Sequence, residues 1–358
     1  MPHRHRGHRP AALLLAASLA GALPAGAAEF LDQRGVAHRI DRPVERVVTL
    51  PMPLPSTYMA IDGTERHVVG MNPSSGAALR DGILARIFPR ARAIATDITR
   101  GAGFTPNIEA ILALRPDAVF QWASQGPELL EVLDRVGLRT IGITCCSQAD
   151  FAAYTGFMGE LSGRQPRAAE LLRRQDAVRA RLAAATEAIP DARRPRVAYV
   201  GRYTDSMRIA GPGTYNDMYL RLAGGRNAAT SAPAAVTLEQ VLAWDPEVIL
   251  LGNFDTAMPA DVYADPRWAG LAAVRSRRVY RMPLGGYRWD PPSHESALTW
   301  IWLAELLQPG ASGFDLRAEM REWFRFLYGH ELAEDDIDAI LFAGPNQGAA
   351  GYDRLLRR

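Results

Sequence analysis

Tyr287, Arg288 and Trp289 follow one another between Gly285-Gly286 and Pro291-Pro292. Aromatic faces supply contact area and a guanidinium fork holds carboxylates, so the run suits a large, planar, anionic or oxygen-rich ligand. A core position explains such a Gly- and Pro-flanked run poorly. In open α/β sheets ligands bind beyond the C-terminal ends of strands, and the residues after the other apolar runs make a matching set. Met52 and Tyr58 follow the run 46–50, Trp122 closes 118–122, and Cys145-Cys146 follow 140–144. Arg202 and Tyr203 follow 196–200, and Asn253 follows 248–251. An isolated Tyr or Trp packs in a core more often than it binds, so the expectation rests on their concentration.

Other chemistries find little support. All 41 basic residues are Arg, which excludes P-loop phosphate chemistry with its Lys, protein-kinase chemistry and Schiff-base mechanisms. Gly211-Pro-Gly-Thr-Tyr-Asn216 follows a strand pattern, but Asn216 replaces the third Gly of a dinucleotide loop, so it is expected to form a turn with Thr214 capping a helix. His330-Glu-Leu-Ala-Glu334 lacks the second His of a zinc-protease helix. There is no Gly-x-Ser-x-Gly elbow, and no Asp/Glu pair is marked as a general acid and base. The sequence therefore points away from an enzyme. Adjacent Cys145 and Cys146 read either as one buried residue with a neighbour of no function, or as a vicinal disulfide or soft-metal site.

The elements that must position these residues come in two similar halves. Residues 107–120 align without gaps on 237–250, sharing Glu, Leu, Ala and Pro at four positions. Each phrase predicts a helix capped by Asn107 or Thr237, a stop at Pro116 or Pro246, and a short buried strand. Further strands are expected at 46–50, 67–70 and 140–144 in the first half, and at 196–200, 207–210 and 278–281 in the second. Between the halves, 151–187 carries apolar residues at helical spacing with a break at Gly163 and Pro166, and reads as a spine packed along both lobes. Helices are expected at 316–327 and 334–341, with a loose last dozen residues. The domains are thus a leader at 1–27, an N-terminal lobe at 28–150, an interlobe helix at 151–190 and a C-terminal lobe at 191–358.

Arg4, Arg6 and Arg9, the apolar run 11–20 and Ala25-Gly-Ala27 read as a secretory signal. Its removal converts the formal net charge of +2 to −1, which gives no electrostatic footprint for nucleic acid.

With these motifs the chain resembles the class III periplasmic substrate-binding proteins of ABC importers for iron–siderophore complexes, haem, cobalamin and related metal chelates. The most specific matches are 107–119, Leu161-Ser-Gly with Arg167-Ala, Gly211-Pro-Gly-Thr through Asn227-Ala, Thr237-Leu-Glu-Gln-Val, and Trp268 through Tyr280. The resemblance implies an α/β fold of two Rossmann-like lobes joined by one long spine helix, with the ligand in the cleft between them. It implies a soluble monomer of the periplasm that hands a small-molecule metal chelate, first of all an iron–siderophore complex, to ABC permease and ATPase subunits, and that carries no intrinsic cofactor. Haem, cobalamin or a nickel or cobalt complex are the alternatives, with a secreted chelate-modifying enzyme behind them. Glu109 and Glu239, third in each repeated phrase, match the family's permease-docking acids. Tyr215 and Tyr287 match positions near the chelate or its metal, which allows phenolate ligation of ferric iron, while His294 and Cys145 keep softer metals open. Arg80, Arg202 and Arg288 are the clamps for an anionic chelate.

Overall fold

The computed structural model describes residues 28–101, 103–203, 207–231 and 236–356, so the leader at 1–27 lies outside them. The first described residues form an antiparallel hairpin, β1 (Ala28–Leu31) and β2 (Ala37–Ile40), which the sequence pattern does not announce. The carboxylate of Asp32 fixes its turn by accepting from the backbone N–H groups of Arg34 and Val36, and it ties the hairpin to the first sheet through the N–H of Gly142.

That sheet contains β3 (Val47–Thr49), β4 (Val68–Met71), β5 (Ala118–Trp122) and β6 (Thr140–Ile143) in the order β4-β3-β5-β6, all parallel. Every residue of β3, β5 and β6 is buried, as expected of a parallel sheet covered by helices on both faces. The second sheet is built from β7 (Arg196–Arg202), β8 (Arg208–Ile209), β9 (Arg226–Asn227), β10 (Val248–Leu251) and β11 (Val279–Arg281). Here β11, β10 and β7 run parallel, β9 joins β7 in parallel, and β8 pairs with β7 antiparallel. The chain is therefore a two-lobed α/β protein.

The repeated phrase builds the same junction in both lobes. Helix Ile108–Ala113 leads to Arg115, helix Leu238–Trp244 leads to Asp245, and both residues hold positive φ (46° and 38°) just before the Pro. Each helix thus ends in a left-handed residue, and the Pro prevents its continuation. The acid after each Pro, Asp117 or Glu247, accepts from the backbone N–H of Arg46 or Arg196 on the neighbouring strand, at 3.0 and 2.9 Å. Arg46 and Arg196 in turn donate to the carbonyls of Leu114 and Asp245 at the helix ends. The two caps differ. Thr237 accepts from the N–H of Gln240 in a capping box, but the Asn107 side chain donates to the carbonyl of Asp97 instead, so the expected Asn107 cap does not form.

The spine consists of two helices, Gln148–Ser162 and Gln165–Glu187, separated by Gly163 at φ 68°. At 1.5 Å per residue the second spans about 34 Å, enough to run along both lobes. Arg167 near its start donates to the carbonyl of Ala60 in helix Leu54–Asp62 and to those of Phe326 and Leu327 in helix Leu316–Tyr328. Helix Ser296–Leu307 packs beside the spine and buries all but one of its residues. One continuous core runs from Leu54, Tyr58 and Phe120 through Leu171 and Leu182 to Trp300, Trp302 and Phe324. Such shared burial couples the lobes: truncating either fully buried Trp of that helix to Ala costs about 3–5 kcal/mol.

Residues 347–356 are not loose, contrary to expectation. Tyr352 is buried, its ring stacks on Tyr280, and its hydroxyl donates to the carbonyl of Leu341 at 2.6 Å. Tyr280 returns the tie by donating to the carbonyl of Ala350.

Candidate functional site

The cleft lies where the C-terminal ends of both sheets face each other. From the first lobe it receives helix Pro73–Asp81, which follows β4 and starts at Asn72, whose side chain accepts from the N–H of Ser74. From the second lobe it receives the ends of β7, β10 and β11. One cavity of about 450 Å³ is lined by the cations Arg202, Arg281 and Arg288, the acids Asp81 and Asp255, and Ser74, Asn253 and Phe254, among others. A second of about 370 Å³ is lined by Cys146, Tyr199, Thr214, Tyr215, Phe254 and Asp290. Phe254 borders both.

Arg288 is the centre of the first cavity. It is only 8% exposed. Its Nε donates to the carbonyl of Asn253 at 3.0 Å, and Nη1 to the carbonyl and hydroxyl oxygens of Ser74 and to the hydroxyl of Tyr287. Its guanidinium lies 4.7 Å from the centre of the Phe254 ring. Arg281 is 5% exposed and donates to the carbonyls of Gly252, Ala257 and Asp255, while its Nε has no partner. Burial lowers the pKa of its guanidinium. Among the described residues neither cation hydrogen-bonds a carboxylate, but Asp290 and Asp255 act on Arg281 through space. Arg202 stands exposed at the rim. The sequence motifs did not single out Arg281, although it closes β11 and so sits at a strand's C-terminal end, where ligands bind.

Asn253 acts as a strut. Its side chain donates to the carbonyls of Met282 and Pro283 and to the Asp290 carboxylate, which also accepts from the Asn253 N–H and the Tyr199 hydroxyl. Burial raises the pKa of the Asp290 carboxyl against those bonds. In the second cavity the Tyr215 hydroxyl donates to Ser296 at 2.8 Å and accepts from the Trp300 indole N–H. Thr214 caps helix Tyr215–Leu222 by accepting from the N–H of Asp217, the turn expected of the Gly211–Asn216 motif. Cys145 and Cys146 are joined to each other as a disulfide across a cis peptide bond, which replaces the reading of two separate cysteines.

Other expected contacts lie elsewhere. Trp289 is fully buried, its indole N–H donating to Glu295 at 2.7 Å, so it supports the loop from beneath. Tyr287 is also buried, with its hydroxyl beside Arg288. Tyr203 donates to Asp265, packs on Trp268 and is pushed up to about 12 by burial. Tyr58 sits in the core of helix Leu54–Asp62, and Trp122 packs edge-on against Phe104. Met52 is half-buried ahead of a cis Pro53, and Arg80 is exposed in the last turn of helix Pro73–Asp81. None of these four lines either cavity. His294 is a core histidine: Nδ1 lies 3.0 Å from the Thr57 hydroxyl, Nε2 lies 2.6 Å from that of Tyr328, and burial holds its pKa down to about 3. Both ring nitrogens are occupied, which removes it as a metal ligand. Among the described residues no group of three or more His, Cys, Asp or Glu stands ready to hold a metal ion.

Glu109 and Glu239 are exposed in the first turns of helices Ile108–Ala113 and Leu238–Trp244. A crossover helix runs back against the strands of its sheet, so its N-terminus lies at the sheet end that carries the cleft. Arg100 approaches Glu109 at 3.8 Å, a surface pairing of little energetic weight.

A family model described as periplasmic binding protein matches residues 80–284. The molybdate-binding protein MolA of Haemophilus influenzae is 25% identical over 255 residues, 64% of this chain and 72% of the relative. The ferric enterobactin-binding periplasmic protein FepB of Escherichia coli is 26% identical over 309 residues, 79% of this chain and 93% of the relative. A periplasmic solute-binding protein from Veillonella parvula superimposes with a TM-score of 0.81 at 26% identity, covering 90% of this chain and 99% of the other.

Proposed function

The chain belongs to the periplasmic binding protein family, and on that premise we propose that its cleft carries an anionic, oxygen-rich metal chelate, first of all an iron–siderophore complex, to a membrane permease. It is the solute-binding component of an ABC transporter and not an enzyme, and what it binds is cargo rather than an intrinsic cofactor.

The observation that carries the anionic reading is Arg288 beside Arg281. Two guanidinium groups, each more than nine-tenths buried, line one cavity and hydrogen-bond only carbonyl and hydroxyl oxygens. A buried charge without an opposite charge costs several kcal/mol. An anionic cargo offsets that cost at Arg288, whereas Asp290 and Asp255 already act electrostatically on Arg281. Tyr215, Thr214 and the Phe254 ring offer the neighbouring cavity to the rest of a larger ligand. A chelate brings its own metal donors, and Arg and Tyr then hold its outer oxygens.

A second reading, a bare oxyanion of the molybdate kind, is supported by the ligand in the name of the Haemophilus influenzae relative. Native mass spectrometry of the protein purified from its own host under iron limitation separates the two: a bound mass of several hundred daltons with an iron isotope pattern supports the chelate, and a small oxometalate mass sinks it. For delivery, Glu109 and Glu239 are the acids offered to arginines of the permease, one from each lobe, with the protein acting as a monomer and the ATPase subunits engaged through the permease.

A further inference from the structure

Loop 285–289 brings Arg288 to the cleft with little sheet structure to hold it: Leu284 and Arg288 form one isolated bridge, and the N–H of Gly285 reaches the carbonyl of Tyr287. What anchors the loop from below is a carboxylate. Glu295, fully buried immediately before helix Ser296–Leu307, accepts the backbone N–H of Gly286 at 2.9 Å, the backbone N–H of Tyr287, the indole N–H of Trp289 at 2.7 Å and the hydroxyl of Tyr328. Three of the four donors belong to the loop.

The fit explains Gly285-Gly286. A Cβ on Gly285 would meet Glu295 Oε2, and one on Gly286 would meet the Tyr328 hydroxyl, with Glu295 Oε1 only 2.8 Å away. Backbone can approach a carboxylate this closely only without side chains. The chain of donors continues behind it: Thr57 donates to His294 Nδ1, His294 Nε2–H to the Tyr328 hydroxyl, and Tyr328 to Glu295. No cation faces the carboxylate among the described residues. His294 and Tyr328 are the titratable groups against it, and burial keeps both neutral at pH 7.

We propose that Glu295 is the positioning residue of the cleft, a buried carboxylate that gathers the N–H groups of loop 285–289 and thereby sets where Arg288 stands. The inference rests on the reading of Arg288 as the anion contact. Because helix Ser296–Leu307 is almost wholly buried and packs on the spine, Glu295 ties the loop to the shared core, and a misplaced guanidinium would lose its geometry without losing its charge.

The test uses the full mature chain and three variants, Glu295→Gln, Arg288→Gln and Tyr328→Phe. Amide hydrogen exchange is followed without ligand, and binding is titrated with two anionic probes, sodium molybdate and ferric tris-catecholate. Glu295→Gln keeps the shape but turns one acceptor into a donor that faces donors. Exchange at Gly286 and Tyr287 is expected to quicken at least tenfold, with the spine unchanged, and any probe the parent binds is expected to bind at least tenfold more weakly. Arg288→Gln is expected to weaken the probe equally while leaving that exchange alone. If Glu295→Gln leaves the two amides as protected as in the parent, the proposal is overturned whatever the probes do. If Arg288→Gln binds as the parent does, the anion reading fails and the exchange result still judges Glu295. Should Glu295→Gln not fold, the Trp289 indole N–H resonance in Tyr328→Phe decides. Loss of one competing donor concentrates the carboxylate on its remaining partners, so the resonance is expected to move downfield, and an unmoved resonance overturns the proposal.

Discussion

Arg288 Nη1, on a loop of the C-terminal lobe, donates to the carbonyl oxygen of Ser74 in the first turn of the facing lobe's helix Pro73–Asp81, at 3.1 Å. The same guanidinium reaches back through Nε to Asn253. One cation therefore crosses the cleft and remains on its wall, so cargo binding and lobe contact share a residue.

Replacing Arg288 by Gln removes that charge while keeping a donor. Loss of one partner from a buried charge-assisted contact costs about 2–5 kcal/mol, so the affinity for the cargo identified by mass spectrometry is expected to fall at least thirtyfold in isothermal titration. Arg202→Gln acts at the exposed rim, where a charge steers encounter more than it holds. That variant is expected to lose less than tenfold and to show a weaker dependence on salt. Equal losses in both variants would contradict the assignment of Arg288 as the buried contact.

Charge reversal at Glu109 and Glu239 probes delivery. Both carboxylates are exposed, and neither lines either of the two cleft cavities. The double Glu→Arg variant is expected to bind cargo with unchanged affinity and to melt within about 1–2 °C of the parent, since surface substitutions alter stability by only about 0.5 kcal/mol. Uptake by cells carrying it as their only copy should vanish. Normal uptake would remove the docking role.

The repeated helix–Pro–strand phrase made both lobes legible, because its apolar spacing and its Pro are local signals that act alike in each copy. The cleft was only partly so. Strand ends pointed to Arg202, Asn253 and Arg288, and all three line the first cavity, since the C-terminal ends of a parallel sheet converge there. Trp289 and Tyr203 follow the same strand-end rule, yet Trp289 lies in one core and Tyr203 packs half-buried against another, and the candidate ligand His294 is also buried; only their partners Glu295, Asp265 and Thr57 reveal it. Those partners lie up to 237 residues away in sequence. Arg281 went unmarked for the converse reason: an Arg at the end of an apolar run looks like a strand terminus until the facing carbonyls are seen.

The C-terminal tail carries a stability prediction. Tyr352 is 1% exposed, stacks on Tyr280 and accepts from the Trp302 indole N–H. Tyr352→Ala is expected to cost about 3–5 kcal/mol by cavity formation, with Tyr352→Phe losing about 1 kcal/mol for the hydrogen bond. Urea unfolding monitored by Trp fluorescence measures both, and a tail without structural weight would make them equal to the parent.

His294 and Glu295 are neighbours in sequence whose titrations pull in opposite directions. Burial holds His294 down to about 3 from an ordinary 6.5, and burial pushes Glu295 up to about 7 from 4.5. For His294 the unfolded chain binds the proton more readily, so its contribution is lost as pH falls from 6.5 toward 3. For Glu295 the folded chain binds it more readily, so its contribution is lost as pH rises from 4.5 to 7. Between pH 6.5 and pH 5 each amounts to roughly 2 kcal/mol, at 1.36 kcal/mol per pH unit, and the two nearly cancel in the parent. His294→Gln leaves Glu295 unopposed, and its stability relative to the parent should rise as pH is lowered through that window. Glu295→Gln leaves His294 unopposed and should fall instead. Urea midpoints at pH 5.0 and 6.5 give both slopes: opposite signs in the two variants are expected, and parallel profiles would show that neither group titrates in the folded protein as its burial requires.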